Sequence, residues 1–259
     1  MYKSPDLGWQ LLENSLDRAS PRLWGYAEKV FYHQYREQFH LVEPYLNRIL
    51  QEGIEEAGDT WGRISALASL EKHISQEKLF QILETASSSA WEGVTQVFVA
   101  NLASSEYRTE CTAGILNILS KENLSKEVIR EIDNCFDESN RSHIQYDPSF
   151  IETFIQSLSN FRSGRDIDDF LEWLSCEARL NPQSALKFTE MLAEKIETQG
   201  NTYRFWNAEA LIMTLNEILR EADETDDPEL IQRAIALQDR FLRLNIRGIE
   251  EFFASAEKL

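Results

Sequence analysis

The stretch Asp227-Pro228-Glu229-Leu230-Ile231-Gln232-Arg233-Ala234-Ile235-Ala236-Leu237-Gln238-Asp239-Arg240-Phe241-Leu242-Arg243-Leu244 decides the fold class. Asp followed by Pro reads as a helix start. The Asp side chain accepts from the free N–H groups of the first turn, and Pro at the first helical position gives up an N–H that has no partner there. Leu230, Ala234, Leu237, Phe241 and Leu244 then recur at three and four, which is one face of an α-helix.

The same grammar repeats along the chain. The remaining prolines stand in Ser4-Pro5, Ser20-Pro21, Glu43-Pro44, Asp147-Pro148 and Asn181-Pro182, and each is read as a helix start with no proline inside a periodic segment. Three more apolar stripes follow the helical period: Trp91, Val94, Val97, Phe98 and Leu102; Phe150, Phe154, Leu158 and Phe161; Ala185, Phe188, Leu192 and Ile196. Short β-branched stretches such as Val97–Val99 aside, nothing alternates with period two, so no strand is needed.

These signals predict helices over 5–18, 21–39, 43–52, 59–72, 76–86, 89–103, 106–120, 125–138, 148–161, 166–180, 182–199, 203–223, 228–245 and 248–257. Gly53 and Gly200 follow their helices as left-handed terminators, and Ser75 and Ser125 cap without the Glu that would complete a capping box. Helices of this length on short connectors fit pairs stacked in order. The expected fold is therefore all-α, an α-α superhelix of diverged HEAT/armadillo-like stacked helix pairs with about 14 helices. An irregular internal echo supports stacking: Trp24-Gly25, Trp61-Gly62 and Trp91-Glu92-Gly93 each place a large ring beside a small residue, so that a helix can start close against its neighbour.

Of the 259 residues, 26 are Lys or Arg and 44 are Asp or Glu, a net charge of −18. Residues 1–130 carry 13 basic against 18 acidic side chains and residues 131–259 carry 13 against 26. Such a field repels phosphate backbones and anionic lipid heads, so direct nucleic-acid binding and membrane association are not expected. No apolar run approaches a bilayer span, and the opening Met1-Tyr2-Lys3-Ser4-Pro5-Asp6 lacks a signal-peptide core. Cys111, Cys135 and Cys176 sit in helical patterns and read as reduced, buried small residues, which points to the cytoplasm. The polar run Asp137–Asp147 coincides with the shift in charge. It divides the expected chain into a helical lobe over 1–138, a break at 139–147, and an acidic helical lobe over 148–259, which together could form one continuous solenoid.

Signatures of chemistry are absent: the chain has no phosphate loop, dinucleotide fingerprint, paired-His zinc helix, Cys-x-x-Cys or Gly-x-Ser-x-Gly elbow. No catalytic residue, cofactor or metal site is expected. Glu37-Gln38-Phe39-His40 puts Glu and His on one helical face, as in di-iron bundles, but no second such motif exists to complete a site. His33 and His40 share a face without carboxylate support, and His73 and His143 read as structural. Asp166-Ile167-Asp168-Asp169 is explained by capping a helix, and Glu221–Glu229 by a solvated loop. The candidate interaction surface is Arg22, Trp24, Lys29, Tyr32 and Arg36. The three bases repeat every seven residues along one helix, and the aromatics beside them suit a protein interface.

Leu23-Trp-Gly-Tyr-Ala-Glu-Lys-Val-Phe-Tyr32, Val42-Glu-Pro-Tyr-Leu46, Trp61-Gly-Arg-Ile-Ser-Ala-Leu-Ala-Ser-Leu70, Val99-Ala-Asn-Leu102 and Tyr107-Arg-Thr-Glu-Cys111 resemble the HEAT-like helical C-terminal region of large bacterial multidomain signalling ATPases. The resemblance runs from Leu7 to about Phe136, without any ATPase residues. It implies a non-enzymatic α-solenoid that senses or scaffolds within a bacterial signalling or defence system, with a protein or companion ATPase domain as partner. Two other classes remain open from the residues: an all-helical enzyme using a carboxylate/His metal site, and an acidic DNA-mimic inhibitor.

Overall fold

Asp147 and Asp227 cap their helices as the Asp-Pro grammar requires. In the computed structural model Asp147 accepts from Ser149 N–H at 2.9 Å and Asp227 from Leu230 N–H at 3.0 Å. Ser75 accepts from Lys78 N–H and Ser125 from Val128 N–H, each the half-box foreseen. The structure describes residues 5–17, 21–138, 147–158, 167–198 and 208–244; the helix expected over 248–257, the turn at Gly200 and His143 lie outside them. Among the described residues there are helices and no strand.

The α-helices are α1 (Pro5–Asp17), α2 (Glu28–Gln51), α3 (Gly58–Leu70), α4 (Gln76–Leu83), α5 (Ser88–Asn101), α6 (Arg108–Leu119), α7 (Lys126–Asp133), α8 (Pro148–Ser157), α9 (Asp168–Leu180), α10 (Pro182–Thr198), α11 (Ala208–Glu224) and α12 (Pro228–Arg243). Three 3₁₀ segments accompany them: η1 (Pro21–Ala27), η2 (Glu55–Ala57) and η3 (Asn134–Phe136). The count among the described residues is twelve rather than about fourteen, because two expected helices are one and another falls outside.

Pro44 accounts for the merger. It does not start a helix but sits inside α2, which leaves helical geometry six residues earlier, at Gln38 (φ −132°, ψ 40°). A proline inside a helix removes one backbone hydrogen bond and commonly accompanies a kink, which in α2 is centred at Gln38. Pro21 likewise starts a 3₁₀ segment, not the α-helix expected from residue 21. With three residues per turn, Trp24 and Ala27 align inward and are buried, whereas Leu23 and Tyr26 align outward.

The chain forms two compact units, Met1–Asn101 and Leu102–Leu259. The core of the first is the α3–α5 pair. A Cβ on Gly62 would stand 2.2 Å from the Ala90 carbonyl oxygen, and one on Gly93 2.3 Å from that of Asp59, so these helices touch backbone to backbone. Two of the three Trp-small pairs thus lie at one crossing: Trp61 is buried beside Gly62, and Trp91 packs near Phe80.

In the second unit Phe136 gathers the rings of Phe150, Phe154, Phe170 and Trp173, with centroids 5.0 to 6.2 Å away. These rings come from both sides of the polar run 139–146, whose residues lie outside the described ones, and α6 packs on α8 across it. Cys111 and Cys135 are buried as expected, but Cys176 is exposed: it faces away from the stripe that Leu171, Leu174 and Ala178 bury.

Candidate interaction surface

The first half of α2 carries most of the residues singled out for binding. Phe31 and Tyr35 point inward and are buried, so Lys29, Tyr32 and Arg36 fall on the outer face. Tyr32 is 55% exposed. Arg36 reaches Glu71 at 3.0 Å and donates from Nε to the Tyr35 hydroxyl at 3.1 Å, so its charge is largely spent within unit 1. Burial raises the Tyr35 phenol above its ordinary value, against the pull of Arg36.

Trp24 does not join this face. It is 2% exposed, with the Arg48 guanidinium 4.9 Å over its ring. Arg48 is in turn held by Glu52 at 2.6 Å and by Asp17 of α1, and these two carboxylates hold its already high value higher still. The backbone of Arg22 belongs to η1, and its side chain lies outside the described residues.

Sequence reasoning passed over the residues that do stand out. Leu23 is 50% exposed, Tyr26 78% and Val30 38%. With Tyr32 they place four large apolar side chains in solvent within ten residues. Leu7 and Leu11 of α1 add two more, so six of the nine such residues among those described fall between positions 7 and 32. The available signal was the spacing itself: Leu23, Tyr26 and Val30 recur at three and four on a face that excludes Trp24, Phe31 and Tyr35.

The other expected groups stay apart. Glu37 and His40 are both exposed, and the non-helical Gln38 between them removes the shared helical face. His33 is exposed, and His73 stacks on Phe39 at 5.2 Å. Among the described residues no three His, Cys, Asp or Glu are arranged to hold a metal ion, and no helix is long and apolar enough to cross a membrane.

A buried carboxylate from another helix shares the capping expected of the acidic cluster at 166–169, of which Asp166 lies outside the described residues. Asp168 and Asp169 do occupy the first turn of α9. The cap, however, is Asp133 at the end of α7, which accepts from Asp169 N–H at 3.0 Å and Phe170 N–H at 2.9 Å. Asp133 is 4% exposed. Burial pushes its carboxyl up to about 8; the two N–H donors oppose that rise, and the Asp169 and Asp168 charges reinforce it. Burial also lifts the Cys111 thiol to about 12 and Cys135 well above its ordinary value, so neither is a nucleophile.

In the second unit, α10 and α12 flank a groove of about 470 Å³ lined by Lys187, Glu190, Glu194, Arg233, Arg240 and Arg243 over Met191 and Leu237. Two ion pairs join the helices: Arg233 clasps Glu190 through Nε at 3.2 Å and Nη2 at 2.8 Å, and Arg240 clasps Glu197 through both nitrogens at 2.5 Å. The Arg240 hydrogen bond holds Glu197 below the usual carboxylate range.

No protein-family model matches this chain, and neither a curated protein nor a solved structure matches it.

Proposed function

We propose that the chain is a non-enzymatic α-helical scaffold or sensor module, its helices stacked in the HEAT-like manner, whose η1–α2 edge docks a protein partner or a companion ATPase domain. The observation that carries this reading is the exposed line Leu23, Tyr26 and Val30, with Tyr32 and Lys29 on the adjoining side of α2, among described residues whose other large apolar side chains are mostly buried. Clustered exposed aromatics mark binding surfaces, and Tyr is favoured there because it covers much area at little entropic cost. A rigid α3–α5 core beneath supplies a firm platform for such a surface. The resemblance to the helical region of bacterial signalling ATPases points to the same role.

The reading is tested by chemical crosslinking and pull-down from the native host with the wild-type chain and a Tyr26→Ser/Tyr32→Ser variant. A partner retained by the wild type and lost by the variant supports it. A chain that stays alone at every concentration and in lysate contradicts it, as does a partner held equally by both.

A further inference from the structure

α1 differs from the other helices of unit 1 in how it is held. Among the described residues its backbone has few close neighbours, and its recorded contacts with α2 are made by side chains. The Trp9 ring stacks on Tyr45 at 5.6 Å and its Nε1 donates to Gln38 Oε1 at 3.4 Å. At the other end Leu16 is buried and the Asp17 carboxylate binds Arg48. The helix has 13 residues. Isolated helices shorter than about 12–15 residues are marginal in water, so α1 depends on this seat for its own order.

α1 also carries a second apolar edge. Leu7 and Leu11 are 56% and 57% exposed while α1 is seated, so a large part of its apolar surface gains nothing from the present arrangement. What α1 rests on is unusual as well: Gln38 is the residue at which α2 departs from helical geometry, and Arg48 is the cover over buried Trp24.

We propose that α1 is a detachable strap: seated, it covers Tyr45 and secures the Arg48 lid over Trp24, and it leaves that seat while the rest of unit 1 stays folded. Release exposes Tyr45 and frees Arg48 from Asp17, leaving Glu52 as its remaining carboxylate. The apolar surface around Leu23 and Tyr26 is thereby extended toward Trp24. That this release regulates docking rests on the function proposed above; the release itself does not.

Hydrogen exchange read by mass spectrometry on the full chain, with no partner present, tests the strap directly. Amides of 5–17 are expected to exchange at least about 100-fold faster than those of α3 and α5, an opening cost lower by about 2.7 kcal/mol. Trp9→Ala is expected to abolish the remaining protection of 5–17, to leave α3 and α5 within about twofold of wild type, and to raise binding of an apolar-surface dye. Exchange of 5–17 as slow as that of α3 overturns the proposal. So does a Trp9→Ala variant whose α3 and α5 lose protection in parallel, since α1 is then part of the core. Because no partner enters, failure here leaves the docking surface standing, and failure of the pull-down leaves the strap standing.

Discussion

Replacing Gly62 with Ala adds one methyl group where two helix backbones meet. The new Cβ would lie 2.2 Å from the Ala90 carbonyl oxygen, 3.0 Å from Val94 N and 3.1 Å from Ala90 C. All three are backbone atoms of α5, so no side chain can rotate away, and α3 and α5 must part by about 1 Å to restore ordinary contact. Overpacking of this kind costs about 1–3 kcal/mol, and the lost interdigitation around buried Ile64, Ala66 and Val94 places the cost at the upper end. Helix propensity returns up to about 1 kcal/mol. The expected outcome is a loss of about 2 kcal/mol in urea unfolding followed by tryptophan fluorescence, which reports chiefly on unit 1 because Trp9, Trp24, Trp61 and Trp91 are four of the six tryptophans. Gly93→Ala, whose Cβ meets Asp59 O at 2.3 Å, should cost a similar amount, and the double variant less than the sum, because one separation accommodates both methyls. Two controls bracket the effect. Gly25→Ala meets nothing nearer than 3.6 Å and should stay within about 0.5 kcal/mol. Gly53→Ala has open space but a φ of +62°, and should lose about 1 kcal/mol from backbone strain alone. A Gly62→Ala protein within about 0.5 kcal/mol of wild type would refute the backbone contact between α3 and α5.

The remaining predictions concern the second unit. Asp133 has a folded value of about 8 against 3.8 when unfolded, so the folded state holds the extra proton; its contribution to stability is full below about pH 4 and is lost as pH rises through 8. Asp133→Asn removes one of two acceptors for the α9 N–H groups, which should cost about 1–3 kcal/mol at low pH and flatten that pH dependence in denaturant titrations at pH 5 and 8.5. Asp226 ends α11 with φ 53° while Asp227 N–H bonds Ala222 O at 2.9 Å; Asp226→Gly should therefore gain about 0.5–1 kcal/mol in thermal unfolding of the same unit. A thiol-specific disulfide reagent at neutral pH should label one cysteine in the folded chain, Cys176, and three after denaturation.

The helical class was legible because its signals are local. Asp147-Pro148 and Asp227-Pro228 cap as written, Gly53 terminates α2 with Ile54 N–H on Ile49 O at 2.9 Å, and the stripes through Phe188 and Phe241 are buried. What escaped depends on contacts between distant segments. Pro44 lies inside α2, six residues after the break at Gln38, and no local pattern distinguishes that from a helix start. Asp133 caps a helix 36 residues downstream, a pairing that no local pattern in the sequence marks. The seven-residue spacing of Arg22, Lys29 and Arg36 places Lys29 and Arg36 on the exposed side of α2. Trp24 lies seven residues before buried Phe31 and belongs to the inward stripe with it, a spacing that the grouping of Trp24 with Lys29 and Tyr32 overlooked.

Docking at the η1–α2 edge is tested most directly by placing a photoreactive phenylalanine analogue at position 26 or 32 of the chain in its native host, with position 224 at the end of α11 as the control. The account predicts one discrete crosslinked adduct, the same partner from 26 and 32, and none from 224. No adduct from either tyrosine position, or the same adduct from all three, would contradict it.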